Sequence, residues 1–155
     1  MRYHSRKWIN VPKSRTGYLG SKKLERRQQK SWANRLLSSY GVELVIVTPG
    51  FMIWGMDLHQ FMVDNLKRAA FNSGSRTVYV LKGFTYFEIA HEVYHARHWH
   101  QIGEEHYSSL TDLEKETYVY DALMEKAHKL TAAEIADATS YINRVRKLHG
   151  HPPLP

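Results

Sequence analysis

Three short motifs punctuate roughly the last seventy residues of this chain and fix where its helices begin. Thr85-Tyr-Phe-Glu88, Thr111-Asp-Leu-Glu114 and Thr131-Ala-Ala-Glu134 each place a glutamate three positions after a threonine. In such a capping box the threonine hydroxyl accepts from the amide of the third helical residue, and the glutamate reaches back to the amide of the cap. Each box opens a helical pattern. The helices are expected from Thr85 to Ile102, from Thr111 to about Lys129 and from Thr131 to about Leu148, with Gly103 and Gly150 as stops.

The segment upstream is less sharply marked. Ser21 is placed to cap a basic helix that runs to about Tyr40 and stops at Gly41. Val42 to Thr48 is β-branched and apolar, which predicts a buried strand, and Thr77 to Leu81 predicts a second. Between them, Leu58, Phe61, Met62, Leu66, Ala69 and Ala70 fall at helical spacing, so a helix is expected from Asp57 to about Asn72. The order is helix, strand, helix, strand and three helices, which implies an α+β domain. Residues 1–20 read as a basic lead-in, 21–150 as one domain and 151–155 as a tail.

Composition removes several classes of chemistry. The chain of 155 residues has no cysteine, so disulfide scaffolds, cysteine zinc sites and thiol catalysis are excluded. Its ten histidines are the main metal-ligating side chains left besides carboxylates. No apolar run approaches the ~18 residues of a membrane span, and no apolar stretch follows the first ten residues as a secretory signal requires. Charge is uneven: residues 1–30 carry ten Lys/Arg against the single acid Glu25, a net of +9, whereas residues 31–155 are net −2. The arm is thus a footprint for an acidic partner or nucleic acid, or a solvated linker.

The first of the three C-terminal helices contains His91-Glu92-Val93-Tyr94-His95. Histidines at i and i+4 lie about one turn apart on one face, close enough to hold one zinc ion. A glutamate directly after the first histidine is not itself a ligand but reaches water activated by the ion and takes its proton. Glu92 is therefore the candidate general base.

A zinc hydrolase needs a third protein ligand. The extended pattern HExxHxxGxxH is absent: His98 stands at its glycine and Gln101 at its last histidine. A carboxylate on the following helix is the better source. Glu114 is occupied by its capping box. Glu116 lies on the face defined by Leu113, Tyr120, Leu123, Met124 and Ala127, where an unpartnered carboxylate is costly. Glu116 is the expected third ligand, with Glu114 second. His98, one turn beyond the pair on the same face, is a candidate to contact substrate or a second metal, or else a partly exposed polar residue at the rim of the cleft. Tyr107, Tyr118 and Tyr120 flank the third ligand in sequence, and a phenol there can steady an oxyanion; Tyr120 is carried forward as that candidate.

The strand TVYVL, the helix YFEIAHEVYHARHW, the segment YSSLTDLEKETYVYDALM and the closing YINRVRK together resemble the zincin-like metallopeptidase toxin domains found at the C-termini of bacterial polymorphic toxins. The resemblance spans about Phe71 to Arg146. It implies a zincin fold: a small sheet, an active-site helix carrying HExxH and two further helices, with zinc between the active-site helix and the next. It implies a peptidase effector, secreted or injected, that acts on a protein inside a target cell and is neutralised in the producer by a cognate immunity protein. By the same resemblance His91 and His95 match metal ligands, Glu92 the catalytic acid, and Glu116 the glutamate of the related E-x-x-A helices. Where thermolysin-like enzymes keep an aspartate four residues after the third ligand, this chain has Tyr120, followed by Asp121. Two other functions are open from the residues: a basic nucleic-acid-binding module with a fortuitous HEVYH, favoured by the +9 arm, and a regulatory zincin that cleaves one specific protein.

Overall fold

The computed structural model describes residues 22–155, so the lead-in and Ser21 lie outside the described residues. It is a mixed α+β structure with two small sheets and six α-helices: α1 (Arg26–Tyr40), β1 (Glu43–Val47), β2 (Met52–Ile53), β3 (Met56–Asp57), α2 (Leu58–Asp64), β4 (Ala69–Asn72), β5 (Thr77–Leu81), α3 (Tyr86–Ile102), α4 (Glu104–Ser109), α5 (Asp112–Glu125) and α6 (Ala132–Leu148), with a 3-10 turn at Ala127–Lys129.

The main sheet has the order β1-β5-β4, with β1 parallel and β4 antiparallel to β5. All five residues of β5 are buried. Successive side chains of a strand point to opposite faces. Val78 and Val80 accordingly join Leu36, Val42, Phe84, Ile89, Val93 and Trp99 in a core shared with α1 and α3. Tyr79 and Leu81 pack on Val47, Leu58 and Met62 on the other side. A third cluster, Phe87, Ala90, Val119, Leu123 and Ala138, joins α3 to α5 and α6. Helix α3 is therefore central and buried on several faces, not along one apolar stripe.

All three threonine capping boxes form, with both reciprocal hydrogen bonds in each. At the first, Glu88 does a second job. Its Oε1 accepts from the Thr85 amide at 2.9 Å, while its Oε2 accepts from Arg68 Nε at 2.6 Å. Arg68 directly precedes β4, so this buried bond ties the entry of the sheet to the first turn of α3.

Four expectations need correction. The helix from Asp57 ends at Asp64, and Ala69–Asn72 is a strand. Leu66 adopts a left-handed φ of 54°, which breaks the helix, and pairing with β5 then overrides the helical spacing of the two alanines. The first helix begins at Arg26 under Glu25, because the preceding backbone is held extended by Leu24 N–H to Phe84 C=O and by the Lys23–Thr85 bridge. β1 is an edge strand on which only Val47 is fully buried. A fourth C-terminal helix, α4, lies between α3 and α5, held by Glu104, whose carboxylate accepts from Trp99 Nε1 at 2.6 Å, Ser108 Oγ at 2.9 Å and Ser73 Oγ at 3.2 Å.

Beyond α6, Leu154 N–H donates to Asn143 and Arg146 Nε donates to the Pro152 carbonyl, which returns the tail to the helix.

Candidate metal centre

Helix α3 carries His91 and His95 on successive turns of one face, with ring centroids 5.1 Å apart. The chain then turns through α4, and the Thr111 box sets the start of α5. Glu114, third in that helix, faces solvent and closes the box, and Glu116 faces inward. Its Oε1 lies 3.2 Å from His91 Nε2 and 3.1 Å from His95 Nε2. The three side chains are buried (3, 2 and 5% exposed for His91, His95 and Glu116), and their donor atoms lie within 4.8 Å of one another. Among the described residues they form the one such group of three donors.

These residues fit a divalent ion. Donors at 2.0–2.1 Å from a tetrahedral centre stand about 3.3 Å from each other, and the observed N···O spacings are close to that edge. The carboxylate among the donors is held in its ionised form. Burial opposes ionisation of Glu116, but the adjoining His95 and His91 overcome it and hold the carboxyl well below the usual carboxylate range.

Two phenols stand behind the donors. Tyr107, on α4, places its hydroxyl 3.3 Å from His95 Nδ1. Tyr141, on α6, donates to Glu116 Oε2 at 3.3 Å, and its ring meets the His91 ring edge-on at 6.1 Å. Burial, with the charges of Glu116 and Glu92, pushes both phenols up, so each remains a protonated hydroxyl.

Glu92 is fully buried, and neither of its carboxylate oxygens has a hydrogen-bond partner. Such a group asks for an explanation, because an unpaired buried carboxylate costs several kcal/mol. Burial, helped by the charge of Glu116, outweighs the pull of His91 and raises its carboxyl to about 7. It is thus electrostatically coupled to the donor group and titrates near neutrality. A trough of about 320 Å³ leads to the donors, lined by His95, Tyr107, Lys115 and Glu116 on one side and by Phe71 to Gly74 at the end of β4 on the other.

The model of the metallopeptidase toxin 4 family matches residues 54–148. The chain belongs to this family. No curated protein and no solved structure matches it. The metallopeptidase toxin 4 match takes in every residue of the centre described above and ends on the last residue of α6, whereas α1 and β1 precede it. Membership makes this a metal-dependent peptidase toxin domain, and the His91/His95/Glu116 group is its candidate ion site. No described helix is long and apolar enough to cross a membrane.

The structure brings His91, His95 and Glu116 together and leaves Glu114 outside. His98 is not among the donors: its ring stacks on Tyr118 at 3.9 Å and 4°, with Tyr107 edge-on. Burial and the neighbouring His95 lower its pKa. The Tyr120 hydroxyl pairs with Thr139 Oγ1 at 3.2 Å, and the phenol that reaches Glu116 is Tyr141. Tyr141 escaped the sequence reading, although a signal existed: Glu134, Asp137, Ala138, Tyr141, Ile142 and Val145 repeat at helical spacing, which marks α6 as a buried face with polar groups set into it.

Proposed function

We propose that the domain is a zinc peptidase of the zincin type, with HExxH on α3 and with His91, His95 and Glu116 holding the ion. The observation that carries this is the convergence of two α3 imidazoles and one ionised α5 carboxylate, all buried. When bound, zinc supplies Lewis acidity, polarising a carbonyl and acidifying water. The chain's residues do the rest. Glu92, with a carboxyl near neutrality, takes a proton on its free carboxylate oxygens and returns it to the departing amine. Tyr107 fixes the His95 ring, and if the Nδ1 proton is donated to the phenol oxygen, Nε2 keeps its lone pair for the ion. Tyr141 holds Glu116 through Oε2 and keeps a protonated hydroxyl beside the site. The trough beside β4, the outer strand of the sheet, accommodates an extended polypeptide.

As an effector toxin the domain acts on a protein inside a target cell after secretion or injection, and the producer holds a cognate immunity protein. We assign residues 21–150 to the catalytic domain, 1–20 to a basic lead-in that suits an acidic partner, and 151–155 to the tail. The test is metal analysis combined with Glu92→Gln. The wild-type protein binds one zinc per chain and cleaves protein in intoxicated cells. The variant keeps its zinc and loses about 10²–10⁴-fold in rate. A fully active Glu92→Gln protein, or one that binds no zinc, overturns the assignment.

A further inference from the structure

The side of α3 turned away from the histidines borders a second cleft, unconnected with the metal chemistry. Its cavity of about 220 Å³ gathers four cations from three parts of the chain: Arg35 on α1, Arg97 on α3, and Lys126 and Lys129 after α5. Trp32, Arg35 and Tyr86 also line an adjoining cavity of about 330 Å³ with Lys22 and Leu24, so the two share a wall. No acidic residue lines either part. Glu125 and Glu134 act on Tyr94 and Tyr86 only from outside. Among the described residues, none of the four cations forms an ion pair with a carboxylate. Arg35, Lys126 and Lys129 are exposed, and Arg97 is half-buried.

Four like charges converging on one concavity repel one another, and a low-dielectric aromatic wall focuses their field. A fold gains nothing from that arrangement by itself; an anionic occupant does. Its class follows from the rings. A nucleic-acid base needs an open aromatic face to stack on, but Arg35 sits over Trp32 at 4.8 Å and Arg97 over Tyr94 at 4.8 Å. Tyr86 is tilted 50° to Trp32, which leaves no parallel platform. Arg97 Nε donates to the Tyr118 hydroxyl at 2.7 Å, which positions that guanidinium and leaves its terminal N–H groups, with the guanidinium of Arg35, to suit carboxylates. The two neighbouring cavities, with Leu24 in the wall of one and Ala90 and Val93 in the wall of the other, suit alternating apolar and acidic side chains.

We propose that this cleft binds an acidic polypeptide segment of a partner protein, at a site separate from the metal centre.

The test measures binding of a fluorescent peptide alternating glutamate with leucine to the full chain, by anisotropy, with an oligothymidylate of equal charge in parallel. Arg35→Glu/Lys126→Glu/Lys129→Glu is expected to weaken the peptide about tenfold or more. Lys30→Glu/Lys82→Glu/Lys147→Glu lowers the net charge equally outside the cleft and is expected to change binding by no more than about twofold. Neither set alters metal content. If the first triple variant does not fold, the single neutral changes Arg35→Gln and Lys129→Gln decide, each expected to weaken the peptide about threefold. Absence of peptide binding, or equal losses in both triple variants, overturns the proposal. So does an oligothymidylate that binds more tightly than the peptide and loses affinity with the cleft charges.

Discussion

The Tyr107 hydroxyl lies 3.3 Å from His95 Nδ1, on the ring nitrogen opposite the one that faces Glu116. This contact restrains the plane of the His95 ring. Tyr107→Phe removes one hydroxyl and leaves the ring packed against Phe71. Zinc affinity is expected to fall about 10–100-fold with little change in melting temperature. Competition against a chromophoric chelator measures this, and unchanged affinity shows that the phenol only fills space.

Two glutamates one helical position apart from being neighbours give a clean contrast. Glu116→Gln exchanges an ionised donor for a neutral amide and should abolish stoichiometric zinc. Glu114→Gln should keep zinc, because that side chain serves only the Thr111 box. Its effect is confined to a slightly weaker helix cap, since glutamine also fits the box. Metal analysis of the two proteins in parallel separates the roles, and zinc retained in Glu116→Gln overturns the ligand assignment.

Acid sensitivity should trace partly to Glu104, which is not one of the three candidate donors. Burial resists its ionisation, but hydrogen bonds from Ser108, Trp99 and Ser73 overcome that and lower its pKa. A folded-state pKa below the unfolded value contributes stability that is present above the ordinary carboxylate range and is lost as pH falls through it. The melting temperature of the wild type should therefore drop more steeply between about pH 5 and about pH 3 than that of Glu104→Gln. Tryptophan emission should report the loss of the Trp99 contact over the same window. Parallel melting curves for the two proteins would exclude this role.

The sequence carried those features that depend on near neighbours. The Thr85, Thr111 and Thr131 boxes act within four residues, so the starts of α3, α5 and α6 were legible, as was the strand at Thr77–Leu81. Glu116 could be picked out because an acid within an apolar helix face is conspicuous. β4 could not, since Ala69 and Ala70 favour a helix and become a strand only by pairing with β5. Nor could α4, whose start at Gly103 has no side-chain cap. The contacts of Tyr141 and Tyr107 depend on how α6 and α4 settle across the site, which no local pattern encodes.

The bond between Arg68 and Glu88 sits one turn before His91 and joins the sheet to the helix that carries two of the three candidate donors. Everything that places those imidazoles is thus assembled from the chain's own packing and hydrogen bonds. Arg68 and Glu88 stand twenty residues apart in sequence, so a change at the edge of the sheet is felt in the helical turn that precedes both imidazoles.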